Sequence, residues 1–201
     1  NIGVLRALCQ SQLDLQNFAE AEQTVSRVLA LKPDDLPSLN LRAQLRAQNN
    51  DAAGALVDAR AAYAQRPQDA NALTYVCTLL LQQGEIAQAK ELLEAALKNM
   101  PDSDAHWQLR FGFETAIGGD SQEILEAWLQ KLPESALALE AHAVYLESIG
   151  QLEEAAAAAD KALSISENLA LAQFVKLRQE TRENPTQALA RAEQLAKSAN
   201  S

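Results

Sequence analysis

The chain has no long apolar run and no signal-like start, so nothing in it reads as crossing a membrane. Aromatic residues are scarce, at 4% of 201 residues, and there are only 7 glycines and 6 prolines. Basic residues are outnumbered, 17 Lys and Arg against 27 Asp and Glu. That imbalance makes nucleic acid and anionic membrane poor partners. Two cysteines do not decide a redox compartment. The sequence holds no G-x-S-x-G, no H-E-x-x-H and no Walker loop, since Gly118-Gly119-Asp120 lacks the following Lys. Hydrophobic residues make up 48%, ample for a packed core, which argues against disorder. The abundant Ala, Leu, Gln and Glu lose little rotamer freedom in helices. Few Lys beside many Ala, Leu, Gln and Arg suggests a bacterial source. The opening at Asn1, inside what reads as a helix, suggests a fragment of a longer protein.

The negative charge is uneven. Residues 1–101 carry a net of −2, residues 102–169 a net of −10, and residues 170–201 a net of +2. The strongest pattern is periodic. Pro33, Pro67 and Pro101 are 34 residues apart, Pro133 follows after 32, and a further 34 leads to Glu167. Before each marker stands a similar segment, as in FAEAEQTVSRVLALKP (18–33) and AAGALVDARAAYAQRP (52–67). Ala21, Ala55, Ala89 and Ala155 fall twelve residues before their marker; Val28, Ala62, Ala96 and Ala162 fall five before it. Proline ends a helix because it lacks an N–H and disfavours a helical residue before it. The spacing predicts helices at about 3–15, 18–31, 36–48, 52–65, 70–82, 86–99, 104–117, 121–131, 136–149, 152–165, 170–183 and 186–198.

This pattern resembles the tetratricopeptide repeat (TPR) family. Its unit has a bulky residue at position 4, small residues at 8, 20 and 27, and Pro at 32. Position 4 here is Leu5, Leu39, Leu73, Trp107 and Leu139; position 8 is Cys9, Ala43, Cys77, Phe111 and Ala143. The fourth repeat departs from the rule, being two residues short, with Phe111 and Trp128 at places that usually take small residues. A local change of superhelix angle is expected there. The resemblance implies an all-α, right-handed superhelical solenoid of about six helix–turn–helix repeats. They run at about 2–35, 36–69, 70–103, 104–135, 136–169 and 170–198, a single domain over 1–201. Each hairpin leaves an apolar stripe that only its neighbours cover.

The cysteines and histidines read as structural. Cys9 and Cys77 both stand at position 8, two repeats apart, roughly 20 Å at ordinary helix spacing. That is too far for a disulfide, so both are expected to be buried and unpaired. His106 and His142 have no partner at metal-ligand spacing. No cofactor, metal or enzymatic activity is expected.

In the family resembled, helix A lines the inner face, mainly at positions 2, 5, 9, 12 and 13. That mapping offers Asn40, Gln44 and Gln48 in repeat 2, Asn71, Thr74, Thr78 and Gln82 in repeat 3, and Gln108 in repeat 4. Tyr75 lies on the uncharged helix of repeat 3. Amides and hydroxyls there suit a peptide backbone or a sugar chain, unless the face is merely a solvated polar one. Chaperone-binding members grip a carboxylate with cations. Here Arg6 and Gln10, Asn40 and Leu41, and Asn71 and Tyr75 stand in those places, so a chaperone-tail adaptor is not expected. Glu140 and Glu147 map to inner-face positions of repeat 5 and offer docking for a cationic partner. The rival is that the acids only maintain solubility. The leading expectation is a non-catalytic scaffold holding a protein or peptide on its concave face. One alternative is a periplasmic segment of a bacterial secretion or exopolysaccharide-export system, binding a cationic polysaccharide. Another is a regulatory domain attached to an enzyme. The compartment, bacterial cytoplasm or periplasm, is open.

Overall fold

The structure is a computed structural model and describes residues 1–198; the expected domain limit at 201 therefore includes residues 199–201, outside the described ones. Among the described residues there are twelve helices and no strand. They are α1 (Ile2–Asp14), α2 (Phe18–Leu31), α3 (Leu36–Gln48), α4 (Ala52–Gln65), α5 (Ala70–Gln82), α6 (Ile86–Leu97), α7 (Asp104–Ile117), α8 (Ser121–Lys131), α9 (Ala136–Ser148), α10 (Leu152–Ile165), α11 (Ala170–Glu183) and α12 (Pro185–Ser198).

Eight of these match the sequence-based limits to the residue. The others differ at their ends for local reasons. α1 starts one residue early because the Asn1 side chain accepts from the Gly3 amide at 2.9 Å. α6 stops at Leu97 because the chain tightens, the Asn99 and Met100 amides bonding back three residues to Ala96 and Leu97. α9 ends at Ser148, with Ile149 as its cap. α12 takes Pro185 as its first residue, where a missing N–H leaves no bond unmade.

Five of the six turns from a first to a second helix contain one left-handed residue at the same place in the repeat; the shorter α11–α12 turn, through Asn184 at φ −148°, has none. The five are Gln16 (φ 59°), Asn50 (62°), Gly84 (76°), Gly118 (68°) and Gly150 (82°). Glycine meets that requirement without a Cβ clash and Asn tolerates it, whereas Gln16 is strained.

The backbone forms two compact units, Asn1–Pro101 and Asp102–Ser201, so three hairpins fall in each. Within the first, every helix packs against the next, α1 through α6. In the second, α7 through α12 do the same, and α9 also packs on α11. The small residues at the recurring position are fully buried: Ala21, Ala55, Ala89 and Ala155 are each 0% exposed. Cys9 and Cys77 are buried and unpaired, their thiols pointing at the Ala21 and Ala89 carbonyls at 3.7 and 3.8 Å. They fill space as small apolar groups.

Two buried carboxylates tie the first unit together. Asp58 receives a two-pronged grip from Arg42, both bonds 2.7 Å, and a third bond from Arg46 at 3.0 Å. Asp35, at the start of α3, accepts from Arg6 at 2.5 Å and Ser38 at 2.6 Å, with Lys32 at 3.3 Å. Burial alone would raise the Asp35 pKa. The Ser38, Arg6 and Lys32 hydrogen bonds outweigh it and hold the carboxyl at about 2.

Candidate binding groove

In the second unit, the first helices of successive hairpins line a groove of about 490 Å³. Its floor comes from the irregular fourth repeat. Phe111 on α7 and Trp128 on α8 meet at a tilt, ring centroids 6.4 Å apart and planes at 54°. Trp128 is held firmly: its indole N–H donates to Asp104 Oδ1 at 2.9 Å, and Ser135 Oγ donates to the same oxygen at 2.5 Å. That leaves the indole satisfied inside the core, 1% exposed, where it backs the half-buried ring of Phe111. Leu137, Val144 and Leu171 add aliphatic walls from α9 and α11. Gln108, Thr115, Ser121 and Ser148 contribute uncharged polar groups.

Of the sequence-derived candidates, Gln108 and Glu140 line this groove. Glu140 has a task of its own. Its Oε1 accepts from the backbone amides of Leu171 at 2.9 Å and Ala172 at 3.1 Å, the first turn of α11. Leu169 occupies the cap position of that helix and cannot accept a bond; it is buried among Ala143, Leu146, Ala172 and Val175 instead. Glu140 therefore supplies the missing acceptor and a negative charge at a positive helix end. Glu147 is also engaged, its Oε2 3.2 Å from Arg178 Nη1. Both acids thus have partners within the chain.

The remaining candidates lie in the first unit. Asn40, Gln44 and Gln48 on α3, and Asn71, Thr74, Thr78 and Gln82 on α5, are exposed. The Thr74 and Thr78 hydroxyls donate to the Ala70 and Thr74 carbonyls of their own helix, at 2.8 and 2.9 Å. They are therefore poor donors to a ligand. Tyr75 is half-buried and its hydroxyl has no hydrogen-bond partner. Residues that the sequence reading passed over are Phe111, Trp128, Leu137, Val144 and Leu171. Phe111 and Trp128 were visible as departures from the small-residue rule. The inner-face mapping, extended to the last repeat, would have reached Leu171 and Phe174, 53% and 56% exposed.

His142 is half-buried, and burial lowers its pKa. No group of three or more potential metal ligands occurs among the described residues. No described helix is long and apolar enough to cross a membrane.

Two family models described as tetratricopeptide repeat match this chain, over residues 6–70 and 46–110. The chain belongs to the tetratricopeptide-repeat family. Solved structures bear out the fold. A tetratricopeptide repeat protein from Parabacteroides merdae is similar over 98% of this chain and 78% of its own, at 20% identity and a TM-score of 0.65. PilW, a type IV pilus biogenesis factor, is similar over 98% of this chain and 92% of its own, at 18% identity and a TM-score of 0.55. MamA is similar over 84% and 96%, at 18% identity and a TM-score of 0.53. No curated protein sequence matches. At these identities the likeness concerns the fold. TPR domains bind proteins or peptides and are generally non-catalytic scaffolds, and the TPR fold suggests that class of role here.

Proposed function

We propose that this TPR chain is a non-catalytic scaffold that holds an extended peptide segment of a partner protein in the groove of its second unit. The observation that carries the reading is the combination of an apolar floor and a polar rim in one concavity, its one carboxylate, Glu140, being held by the start of α11. An apolar side chain would rest on Phe111 between Leu137, Val144 and Leu171, and the Gln108 amide and Ser121 hydroxyl would meet the peptide backbone, since the Thr115 and Ser148 hydroxyls donate within their own helices. Charge plays a smaller part in this reading than the net −10 of residues 102–169 suggested. Glu140 and Glu147 are held by α11 and Arg178, so the basis for a cationic polysaccharide is weaker than for an apolar peptide.

The test is selection from a displayed random peptide library on the 201-residue chain. Retained peptides are expected to share one or more large apolar residues. Leu171→Glu should weaken them at least about tenfold, a charge facing an apolar contact costing over ~1 kcal/mol. Reversing the charge of Glu126 and Glu153 should leave binding unchanged. Selection of basic peptides without apolar anchors, or equal loss on both sets of substitutions, refutes the proposal.

A further inference from the structure

The groove of the second unit is rich in hydrogen-bond acceptors and poor in donors. The Thr115 hydroxyl donates to the Phe111 carbonyl at 2.8 Å, and the Ser148 hydroxyl to the Tyr145 carbonyl at 2.7 Å. The Tyr145 hydroxyl donates to Gln122 Oε1 at 2.6 Å; the Gln122 amide nitrogen is turned to Glu126, at 2.8 Å, which fixes that direction. A hydroxyl carries one hydrogen and two lone pairs, so these three oxygens can now only accept. The Trp128 indole N–H is spent on Asp104. Two lining side chains, Gln108 and Ser121, keep hydrogens to donate, and among the described residues no Lys, Arg or His lines the groove.

Glu140 sharpens the imbalance. Its Oε1 holds the Leu171 and Ala172 amides, whereas its Oε2 takes no hydrogen bond among the described residues. The side chain is half-buried and lines the same concavity. An occupant of the groove would strip water from that oxygen. Covering a carboxylate oxygen with apolar or acceptor atoms is costly unless a donor replaces the lost water. No lining cation supplies one, so the occupant has to bring it. Lysine and arginine bring several hydrogens, no acceptor and a charge opposite to that of the carboxylate. Glu140 and Ser148 are eight residues apart on α9, about 12 Å along its axis and the span of roughly four extended residues. A peptide running along α9 would meet acceptors at both places.

We propose that the groove selects a peptide whose apolar anchor is flanked by lysine or arginine, the cationic group seated on Glu140 Oε2 and backbone N–H groups on the hydroxyl oxygens of Thr115, Tyr145 and Ser148. This rests on the peptide reading of the groove and adds the partner's chemistry to it. The demand is set by the lining atoms rather than by the net charge of the unit, so it concerns one cation beside an apolar residue and not a polybasic partner. Acidic segments are disfavoured, since they set acceptors against acceptors and repel Glu140.

The test uses the 201-residue chain and the peptides retained in the display selection. Lys or Arg should be enriched beside the apolar anchor over the unselected library, and Asp and Glu depleted. For the most enriched peptide, fluorescence anisotropy should show at least about fivefold weaker binding when its basic residue becomes glutamine. Glu140→Gln keeps an acceptor for α11 and removes the charge; on that variant the same peptide change should cost less than about twofold. Changing the apolar anchor to alanine should cost the same on both chains. A basic preference of equal size on both chains takes Glu140 out of the site and overturns the proposal. Retained peptides with apolar anchors and no basic enrichment on the unmodified chain overturn it as well, and leave the peptide reading standing. If no peptide is retained, the peptide reading fails and this proposal with it.

Discussion

Removing the Glu140 carboxylate should loosen the start of α11. Glu140 Oε1 holds the Leu171 and Ala172 amides at 2.9 and 3.1 Å, and Leu169 at the cap position offers no substitute. The lost interaction is a half-buried, charge-assisted cap. Glu140→Ala should therefore cost about 1 kcal/mol. For a unit of this size that is about 4–8 °C in melting temperature. Glu140→Gln, which keeps an acceptor oxygen without the charge, should fall between. Glu140→Arg should be worse than Ala, because it puts a cation at the positive helix end. The first unit supplies the mirror case. Arg6 holds the corresponding place in its repeat and meets Asp35, at the start of α3. Arg6→Glu, setting an acid beside that buried carboxylate, should also destabilise. Urea and thermal unfolding give the energies, and amide hydrogen exchange by NMR gives the location. Leu171 and Ala172 should exchange faster in Glu140→Ala while amides in mid-α11 change little. If Ala and Arg at 140 both leave stability and those two amides unchanged, the cap has no energetic role and the reasoning fails.

Gln16 is a non-glycine residue at φ 59° in a turn where three of the other repeats place glycine, so Gln16→Gly should raise stability by about 0.5–1 kcal/mol in urea unfolding. Asp35 is held at about 2, below its unfolded value near 3.9, so its contribution of ~2 kcal/mol is present above pH 4–5 and lost as pH falls through 2. The stability gap between the native chain and Asp35→Asn should therefore close between pH 5 and pH 2; a gap constant with pH would contradict the assignment. Burial pushes the Cys77 thiol up to about 11 and raises that of Cys9, so both should react slowly with a thiol reagent near pH 8 and fully in denaturant.

Helix limits were legible because proline spacing and small-residue positions act locally and repeat. The ends that shifted, at Asn1, Leu97, Ser148 and Pro185, depend on single caps and tightened turns that periodicity does not encode. The groove was harder to read. Its floor consists of residues that break the repeat rule, Phe111 and Trp128, and a family mapping treats such residues as irregularities. Glu140 illustrates a different obstacle. Its position on helix A was readable, but its role depends on Leu169, a residue 29 positions later that fills the core and leaves a helix uncapped. Thr74 and Thr78 looked available in sequence, yet helical geometry turns both hydroxyls onto their own backbone.

The most direct test of peptide binding in the second unit is methyl NMR of the 201-residue chain titrated with a library-selected peptide. Signals of Leu137, Val144 and Leu171 should shift and saturate together, while those of Leu41 on α3 and Leu81 on α5 stay in place. Shifts confined to α3 and α5, or to residues outside the groove, would contradict the account.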